Sequence, residues 1–230
     1  MTSLPYTILT AAKPSLLSLQ VGQPKKLDFH GKVWESAIYK APVVTRVRLE
    51  RGNLAGDRQY NLKYHGGPDK AVCCFSAEHY PYWRDDFGLG ETFTYGAFGE
   101  NFTLSGLLET EACIGDVYIV GSAQIQVSQP RQPCINVARK WDRKEMPRRM
   151  EELGQTGYYL RVLVPGEVGS GDTLILQDRP HPDVTIHRLN RAMYQDESTP
   201  EQDRQLASLP ELAASGRRIF QRRLQKLSSL

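Results

Sequence analysis

Cys134 is a cysteine whose neighbours favour chemistry at its thiol. Arg131 lies three residues before it, Pro130 and Pro133 frame the segment, and residues 135–141 are predicted to form a helix directly after it. A nearby cation and a helix N-terminus both stabilise a thiolate, which is the form that attacks electrophiles and binds metals. A cysteine taken at random is more often a small buried apolar residue. The surrounding residues favour a functional role for Cys134 over that interpretation.

A second segment has the composition of an anion-binding loop. His65, Gly66 and Gly67 are followed by Lys70, which opens an apolar run over residues 71–75 that predicts a buried strand. Adjacent glycines allow backbone N–H groups to approach a ligand closely, and lysine and imidazole add further donors. The glycine spacing differs from that of a Walker loop. A hairpin turn with solvated charges explains the same spacing equally well.

Bulk composition narrows the class of protein. The 230 residues are 40% hydrophobic and 24% charged, with a formal net charge of +3. These values are ordinary for a globular protein and argue little about its partners. Residues 1–5 lack the features of a signal peptide, and the sequence contains no apolar run of the roughly 20 residues that a membrane span needs. We therefore expect a cytoplasmic protein without membrane attachment.

The cysteines indicate reduced thiols rather than a disulfide framework. Cys73, Cys74, Cys113 and Cys134 contain no C-x-x-C pair and no spacing typical of secreted domains. A structural zinc site is disfavoured for the same reason, because it needs paired ligands at short spacing.

Short strands dominate the larger part of the chain. Alternating apolar and polar residues, with glycine and proline turns between them, predict strands over 16–21, 32–38 and 43–49. A further strand, 122–127, leads towards Cys134 and is predicted to end at the two prolines that follow it. This density of short strands favours a β-barrel or sandwich over βαβ units.

The composition becomes helical near the C-terminus. We predict a mainly β domain over residues 1–177 and a small three-helix domain over residues 178–230. Its helices are predicted over 184–194, after a capping box at Thr199, and after a second capping box at Ser208.

The last predicted helix combines arginines with an apolar stripe. We expect the stripe to pack on the barrel or on a second copy of the chain, so that a homodimer is plausible, and we expect the arginines to be solvated. A basic amphipathic helix can also bind nucleic acid or an anionic membrane. A nucleic-acid-binding module that uses Arg222 and Arg223 is disfavoured, because it leaves the motifs of the barrel unexplained.

Five motifs follow one another along the predicted barrel. They are Leu54-Ala55-Gly56-Asp57, His65-Gly66-Gly67-Pro68-Asp69-Lys70-Ala71, Gly99-Glu100-Asn101, Gly115-Asp116 and Gln129-Pro130-Arg131-Gln132-Pro133-Cys134. In this order they resemble the MOSC domain, which is named after the C-terminal domain of molybdenum-cofactor sulfurases. The helical tail extends the resemblance to the YiiM-like subgroup, which confers resistance to 6-N-hydroxylaminopurine. The match covers residues 20–177 and continues through the tail.

The resemblance implies a distorted β-barrel that binds a molybdenum cofactor (molybdopterin). It implies that Cys134 is a catalytic residue and the metal ligand, and that Asp57 is a second catalytic residue on the open side of the metal. It also carries an association with pyridoxal phosphate binding. Cofactor binding is implied for His65, Gly66, Gly67, Lys70, Asn101 and Arg131.

The activity that the resemblance implies is the reduction of N-hydroxylated compounds, such as hydroxylaminopurines, amidoximes and hydroxylamines. Asp57 could relay a proton in that reaction. The sequence has no flavin or nicotinamide fingerprint and no iron–sulfur cysteine pattern, so a separate flavin-containing reductase is expected to supply electrons. An alternative function needs no metal and uses Cys134 as a nucleophile or persulfide carrier, with His65 or His79 as the base.

Overall fold

The structure, a computed structural model, describes residues 13–195 and 197–228. Within those residues the chain forms twelve β-strands and six α-helices. The strands are β1 (Ser15–Val21), β2 (Lys25–Phe29), β3 (Lys32–Ser36), β4 (Ala41–Pro42), β5 (Val47–Leu49), β6 (Val72–Ser76), β7 (Phe102–Ser105), β8 (Val117–Val120), β9 (Ala123–Pro130), β10 (Tyr158–Val164), β11 (Gly166–Val168) and β12 (Leu174–Asp178). The helices are α1 (Leu62–His65), α2 (Ile135–Trp141), α3 (Met146–Leu153), α4 (Ile186–Tyr194), α5 (Pro200–Ser208) and α6 (Ala214–Leu227).

Eight strands form one curled sheet in the order β12-β8-β9-β10-β6-β7-β1-β4. The sheet curls until the start of β1 meets the start of β12, where Ser15 forms a bridge to Thr173. Leu16 strengthens this closure, because its N–H donates to Asp172 O at 2.8 Å and its carbonyl accepts from Gly171 N at 2.7 Å. The predicted fold, a mainly β, distorted barrel followed by helices, is confirmed.

Strand β6 lies at the centre of this sheet, between β10 and the parallel strand β7. All five of its residues are buried. Burial on both faces explains why its sequence is apolar throughout rather than alternating. Successive side chains of a strand point to opposite faces. Cys73 therefore lines a cleft on one face, whereas Cys74 belongs to the main hydrophobic core on the other.

The main hydrophobic core continues from the barrel into the C-terminal helices. Leu19 and Val127 of the barrel belong to the same packed cluster as Leu189, Leu206 and Phe220 of the helices. No α-helix among residues 13–195 and 197–228 is both long and apolar enough to cross a membrane. The helices are thus stabilised mainly by burying one face against the barrel, as is usual for short helices in proteins.

The start of α6 is fixed directly to the strand that leads to Cys134. The backbone N–H of Ala213 donates to Ser128 O at 2.9 Å. The hydroxyl of Ser215 donates to the side-chain oxygen of Gln129. The helical tail therefore buttresses the end of β9, two positions before Arg131.

The prediction that the arginines of the last helix are solvated is wrong for Arg223. Its guanidinium turns back onto the end of α4, where it donates to Ala192 O at 2.6 Å and to Met193 O at 3.1 Å. A guanidinium that holds two helices together is poorly placed to contact a nucleic acid.

Two strand predictions need correction. Residues 43–49 do not form one strand, because Ala41–Pro42 pairs with β1 while Val47–Leu49 pairs with β11 in a different sheet. The strand before Cys134 does not stop at the first proline but runs through Pro130, opposite Tyr158. Proline is tolerated there because the pairing of β9 with β8 extends only to Gln126. No strand on that side of β9 therefore needs the N–H that Pro130 lacks.

One helix prediction is also wrong. Ser208 does not cap the last helix, because its hydroxyl donates back to Gln205 O at the end of α5. Leu209, which precedes a proline, takes an extended conformation, and α6 begins only at Ala214. In α2 the buried residues are Val137 and Ala138, whereas Ile135 is exposed.

We predict that Phe220→Ala lowers the free energy of unfolding by about 3–5 kcal/mol, because it leaves a cavity in the shared core. Leu227→Ala on the same helix is the matched control. Leu227 is 51% exposed, and its truncation should change stability by under about 0.5 kcal/mol. Urea denaturation measures both values. Equal stability of the two variants would contradict a core that is continuous between the barrel and the helices.

Candidate functional site

Six of the eight predicted site residues line one open cleft at the surface of the barrel. Its volume is about 650 Å³ when the solvent-filled mouth is counted, which lies within the roughly 300–1,000 Å³ usual for small-molecule sites. The predicted residues in its wall are Asp57, His65, Lys70, Asn101, Arg131 and Cys134.

Cys134 occupies the N-cap position of α2. Its backbone is extended, with φ −123° and ψ 166°, and its side chain makes no capping hydrogen bond. The thiol is partly exposed and not part of a disulfide. Cys134 therefore places a thiol that is not engaged in capping at the start of a helix, where the helix dipole favours negative charge.

Arg131 supplies a buried cation to the same cleft. One nitrogen of its guanidinium, Nη2, donates to Phe98 O at 2.7 Å, whereas Nη1 is buried without a hydrogen-bond partner. Burial by itself lowers the pKa of Arg131, but the neighbouring Cys73, Tyr159 and Cys134 outweigh it and raise the pKa above its usual value. The guanidinium thus remains charged and has one donor available for a ligand.

Asp57 is held by a lysine that sequence reasoning missed. The Asp57 side chain is fully buried, and its Oδ1 accepts from Gly22 N at 2.7 Å and from the Lys40 ammonium. Its second oxygen, Oδ2, is buried without a partner. No local motif marks Lys40, because its partner lies 17 residues away in the chain.

His65 and Lys70 lie at either end of a tight loop. Burial, with the positive charges of Arg131 and Lys70, lowers the pKa of His65 from 6.5 to about 4. Burial also lowers the pKa of Lys70, whose ammonium donates to Tyr64 O at 2.6 Å. At neutral pH this end of the cleft therefore presents a neutral imidazole beside an ammonium that is already hydrogen-bonded once.

Gly66 and Gly67 shape this loop, although they are not among the residues that line the cleft. A Cβ on Gly66 would lie 2.8 Å from Leu62 O, so a side chain does not fit there. Gly67 has φ +99°, which favours glycine. The two glycines let the chain turn sharply between His65 and Lys70.

Asn101 and Glu100 organise the opposite wall of the cleft. The Asn101 side chain accepts from Cys73 N at 3.1 Å and donates to Gln20 O at 3.2 Å, which fixes β6 near β1. Glu100, which sequence reasoning did not select, is fully buried. It accepts from Gly96 N at 2.7 Å and from Phe98 N at 3.1 Å. Both residues act on the shape of the cleft through the backbone.

The donor set restricts how the cleft could hold a metal. Among the residues that the structure describes, no group of three or more His, Cys, Asp or Glu side chains could hold a metal ion. A metal bound at Cys134 would therefore need its remaining ligands from a cofactor. A polar cofactor fits the cleft in one further respect, because Arg131 Nη1 and Asp57 Oδ2 are both buried without a partner.

Comparison with known proteins relates the chain to two families. The MOSC domain pattern matches residues 61–175, and the YiiM-like 3-alpha helix domain pattern matches residues 184–227. The chain is 42% identical to YflK of Bacillus subtilis over 93% of its own length and 96% of YflK. It is 36% identical to YiiM of Escherichia coli over 82% of its own length and 84% of YiiM.

Two further similarities concern a longer protein and a crystal structure. The chain is 33% identical to a protein named "Reductase" from Gibberella moniliformis, over 77% of its own length but only 32% of that protein. The crystal structure of YiiM from Geobacillus stearothermophilus is 36% identical and superimposes with a TM-score of 0.77, over 92% of this chain and 99% of that chain.

The pKa of His65 gives a prediction that needs no ligand. The folded state disfavours the imidazolium. The free energy of unfolding should therefore decrease as the pH falls from 6.5 towards about 4, and the stabilising contribution of the neutral imidazole should be fully present above pH 6.5. A proton NMR titration of the His65 ring should give a pKa of about 4. Lys70→Met should raise that pKa, because one positive charge beside the imidazole is removed.

Lys63→Met is the matched control for this titration. It removes the charge of an exposed lysine on the same short helix and should leave the pKa of His65 unchanged. A wild-type His65 that titrates near 6.5, or equal responses to the two substitutions, would contradict the burial and charge pattern of this wall.

Proposed function

The chain belongs to the MOSC domain family and to its YiiM-like branch, and from this premise we propose that it is a molybdenum-cofactor-dependent reductase of N-hydroxylated compounds. The substrate class comprises hydroxylaminopurines, amidoximes and hydroxylamines. One observation carries the proposal: the partly exposed thiol of Cys134 and the unpartnered, buried Nη1 of Arg131 line the same cleft. A soft sulfur donor beside a permanent cation suits a sulfur-rich, anionic metal cofactor.

In this proposal Cys134 is the protein ligand to molybdenum. Arg131 Nη1 would donate to the cofactor, and the loop from His65 to Lys70 would hold its phosphate. The cofactor supplies the two electrons that convert an N–OH group and two protons into an amine and water. The similarity to a protein named as a reductase supports this reaction class.

Asp57 has the best position to handle protons in the cleft. Its Oδ1 accepts hydrogen bonds from Gly22 N and from the Lys40 ammonium, and these two bonds fix the carboxylate. Oδ2 has no partner, so it can accept a proton from a bound molecule or return one to it. His65, neutral at pH 7, can donate a hydrogen bond without adding charge. Tyr159 keeps its phenol protonated, because burial raises its pKa.

Pyridoxal phosphate is a less favoured ligand of this cleft. It needs a lysine amine free to form a Schiff base, and the two lysines in the cleft wall are engaged. Lys40 is paired with Asp57, and Lys70 donates to Tyr64 O.

A metal-free cysteine enzyme is the second candidate function. It is supported by the presence of a partly exposed thiol and a neutral imidazole, Cys134 and His65, in one cleft. Iodoacetamide separates the two candidates. Protection of Cys134 in protein purified with cofactor, and alkylation only after the cofactor is removed, supports the ligand role. Equal alkylation of both forms favours the nucleophile.

We predict that the protein, purified without oxygen from a host that makes the molybdenum cofactor, reduces benzamidoxime with reduced methyl viologen as electron source. Cys134→Ser should lower the rate by at least about 100-fold, since it removes the metal ligand. Cys113→Ser is the matched control, because this thiol lies outside the cleft and contacts Pro182 O. Liquid chromatography of benzamidine measures the product.

The same assay with 6-N-hydroxylaminopurine and with hydroxylamine defines the substrate class. Turnover of none of the three compounds by metal-loaded wild-type protein would contradict the proposed activity. Equal rates for wild type and Cys134→Ser would contradict the role of Cys134.

A further inference from the structure

Exposed apolar side chains lie on, or next in sequence to, residues that line the cleft. Tyr60, Leu62, Tyr64 and Ile135 are each at least 50% exposed. Tyr60 lines the cleft, Leu62 and Tyr64 lie between the lining residues Asn61 and His65, and Ile135 lies between Cys134 and Asn136. We name as the mouth surface the residues Arg58, Tyr60, Leu62, Lys63, Tyr64 and Ile135.

The fold does not need these apolar side chains for packing. Helix α1 has no buried residue, and its conformation is held by the Asn61 cap and by the bond from Gly66 N to Leu62 O at 3.1 Å. In α2 the buried residues are Val137 and Ala138, and Ile135 is not among them. Scattered exposed apolar residues are ordinary, but a group around one opening is typical of an interaction site.

The exposed charges of the mouth surface are basic. Arg58 and Lys63 are exposed, whereas Asp57 and Glu100 of the cleft-lining segments are buried and hydrogen-bonded. Asp69, beside the lining residue Lys70, is partly exposed, but its carboxylate is paired with Arg161 at 2.9 Å. Two further cations lie close by. Arg139 is one turn after Ile135 on α2, and Arg218 of α6 is near enough to Lys70 to contribute to lowering its pKa. Glu35 accepts a hydrogen bond from the hydroxyl of Tyr60.

We propose that the mouth surface is the docking site of an acidic flavoprotein that delivers electrons to the cleft. This inference rests on the proposed function, because it assumes a redox centre at Cys134. An apolar centre with a charged rim is the usual composition of a specific protein interface. The positive rim selects a partner of opposite charge and steers its approach.

Two other occupants fit the surface less well. A second copy of the chain would bring one basic rim against another, and the chain itself carries a net charge of +3. A small anionic substrate could use Arg58 or Lys63, but it would leave most of the apolar side chains around the opening uncovered.

The position of the surface suits electron transfer. Ile135 directly follows Cys134 in the chain, so a partner seated on the mouth surface lies over the proposed metal ligand. Electron transfer slows steeply with distance, which favours a donor at this opening over one elsewhere on the barrel. One reduced flavin loses two electrons and two protons, and one N-hydroxy compound gains them to give an amine and water.

The test compares two electron sources with one pair of variants. Arg58→Glu/Lys63→Glu reverses the charge of the mouth surface. Arg222→Glu/Lys226→Glu makes the same change in net charge at exposed positions on the second half of α6. Benzamidoxime reduction is measured with reduced flavodoxin, an acidic flavoprotein, and with reduced methyl viologen. Calorimetry at low and high salt measures flavodoxin binding to cofactor-free protein.

We expect the mouth variant to bind flavodoxin about tenfold more weakly than wild type at low salt. Its rate with flavodoxin should fall accordingly, while its rate with methyl viologen stays unchanged. Leu62→Ala should also weaken flavodoxin binding, and the α6 variant should match wild type. No turnover with methyl viologen in wild type would refute the proposed function, whereas the calorimetry would still test the surface.

Three results would overturn the docking proposal. The first is wild-type protein that does not bind flavodoxin. The second is binding that the mouth variant and the α6 variant weaken equally. The third is loss of turnover in the mouth variant with both electron sources, which would assign Arg58 and Lys63 to the integrity of the cleft rather than to a partner.

Discussion

The cleft depends on one buried cation, the guanidinium of Arg131. A buried charge is stable only when partners compensate it. Here Nη2 bonds the Phe98 carbonyl, and the backbone N–H of Arg131 bonds Gly157 O at 3.0 Å. These contacts tie the segment before Cys134 to two other parts of the barrel. Because Nη1 remains without a partner, the same residue that holds the segment in place also presents a donor to a ligand.

The rest of the barrel maintains this arrangement from several directions. Glu100 stabilises the loop that contains the Phe98 carbonyl, because its carboxylate accepts hydrogen bonds from two backbone N–H groups of that loop. The first turn of α6 holds the end of β9 through Ser128 and Gln129. The helical tail is therefore part of the support of the cleft, since it shares a hydrophobic core with the strands and contacts the segment that leads to Cys134.

Sequence reasoning succeeded where the chemistry is local and failed where it depends on distant contacts. Arg131 and Cys134 are three residues apart, so their spacing alone indicated that the cation lies close to the thiol, and both line the cleft. Lys40 meets Asp57 only through the tertiary fold, and no local pattern could reveal that pair. Helical periodicity predicted α2 but not which side of it is buried. For this reason the exposure of Ile135, on which the docking proposal depends, became visible only in the structure.

The proposed function requires that the cleft binds a molybdenum cofactor through Cys134. The most direct test is the molybdenum-to-protein ratio, measured by elemental analysis after purification from a host that makes the cofactor. We expect a ratio near one for wild type and for Cys113→Ser, and little molybdenum in Cys134→Ser. Absence of molybdenum from wild type, or an equal ratio in wild type and Cys134→Ser, would contradict the claim.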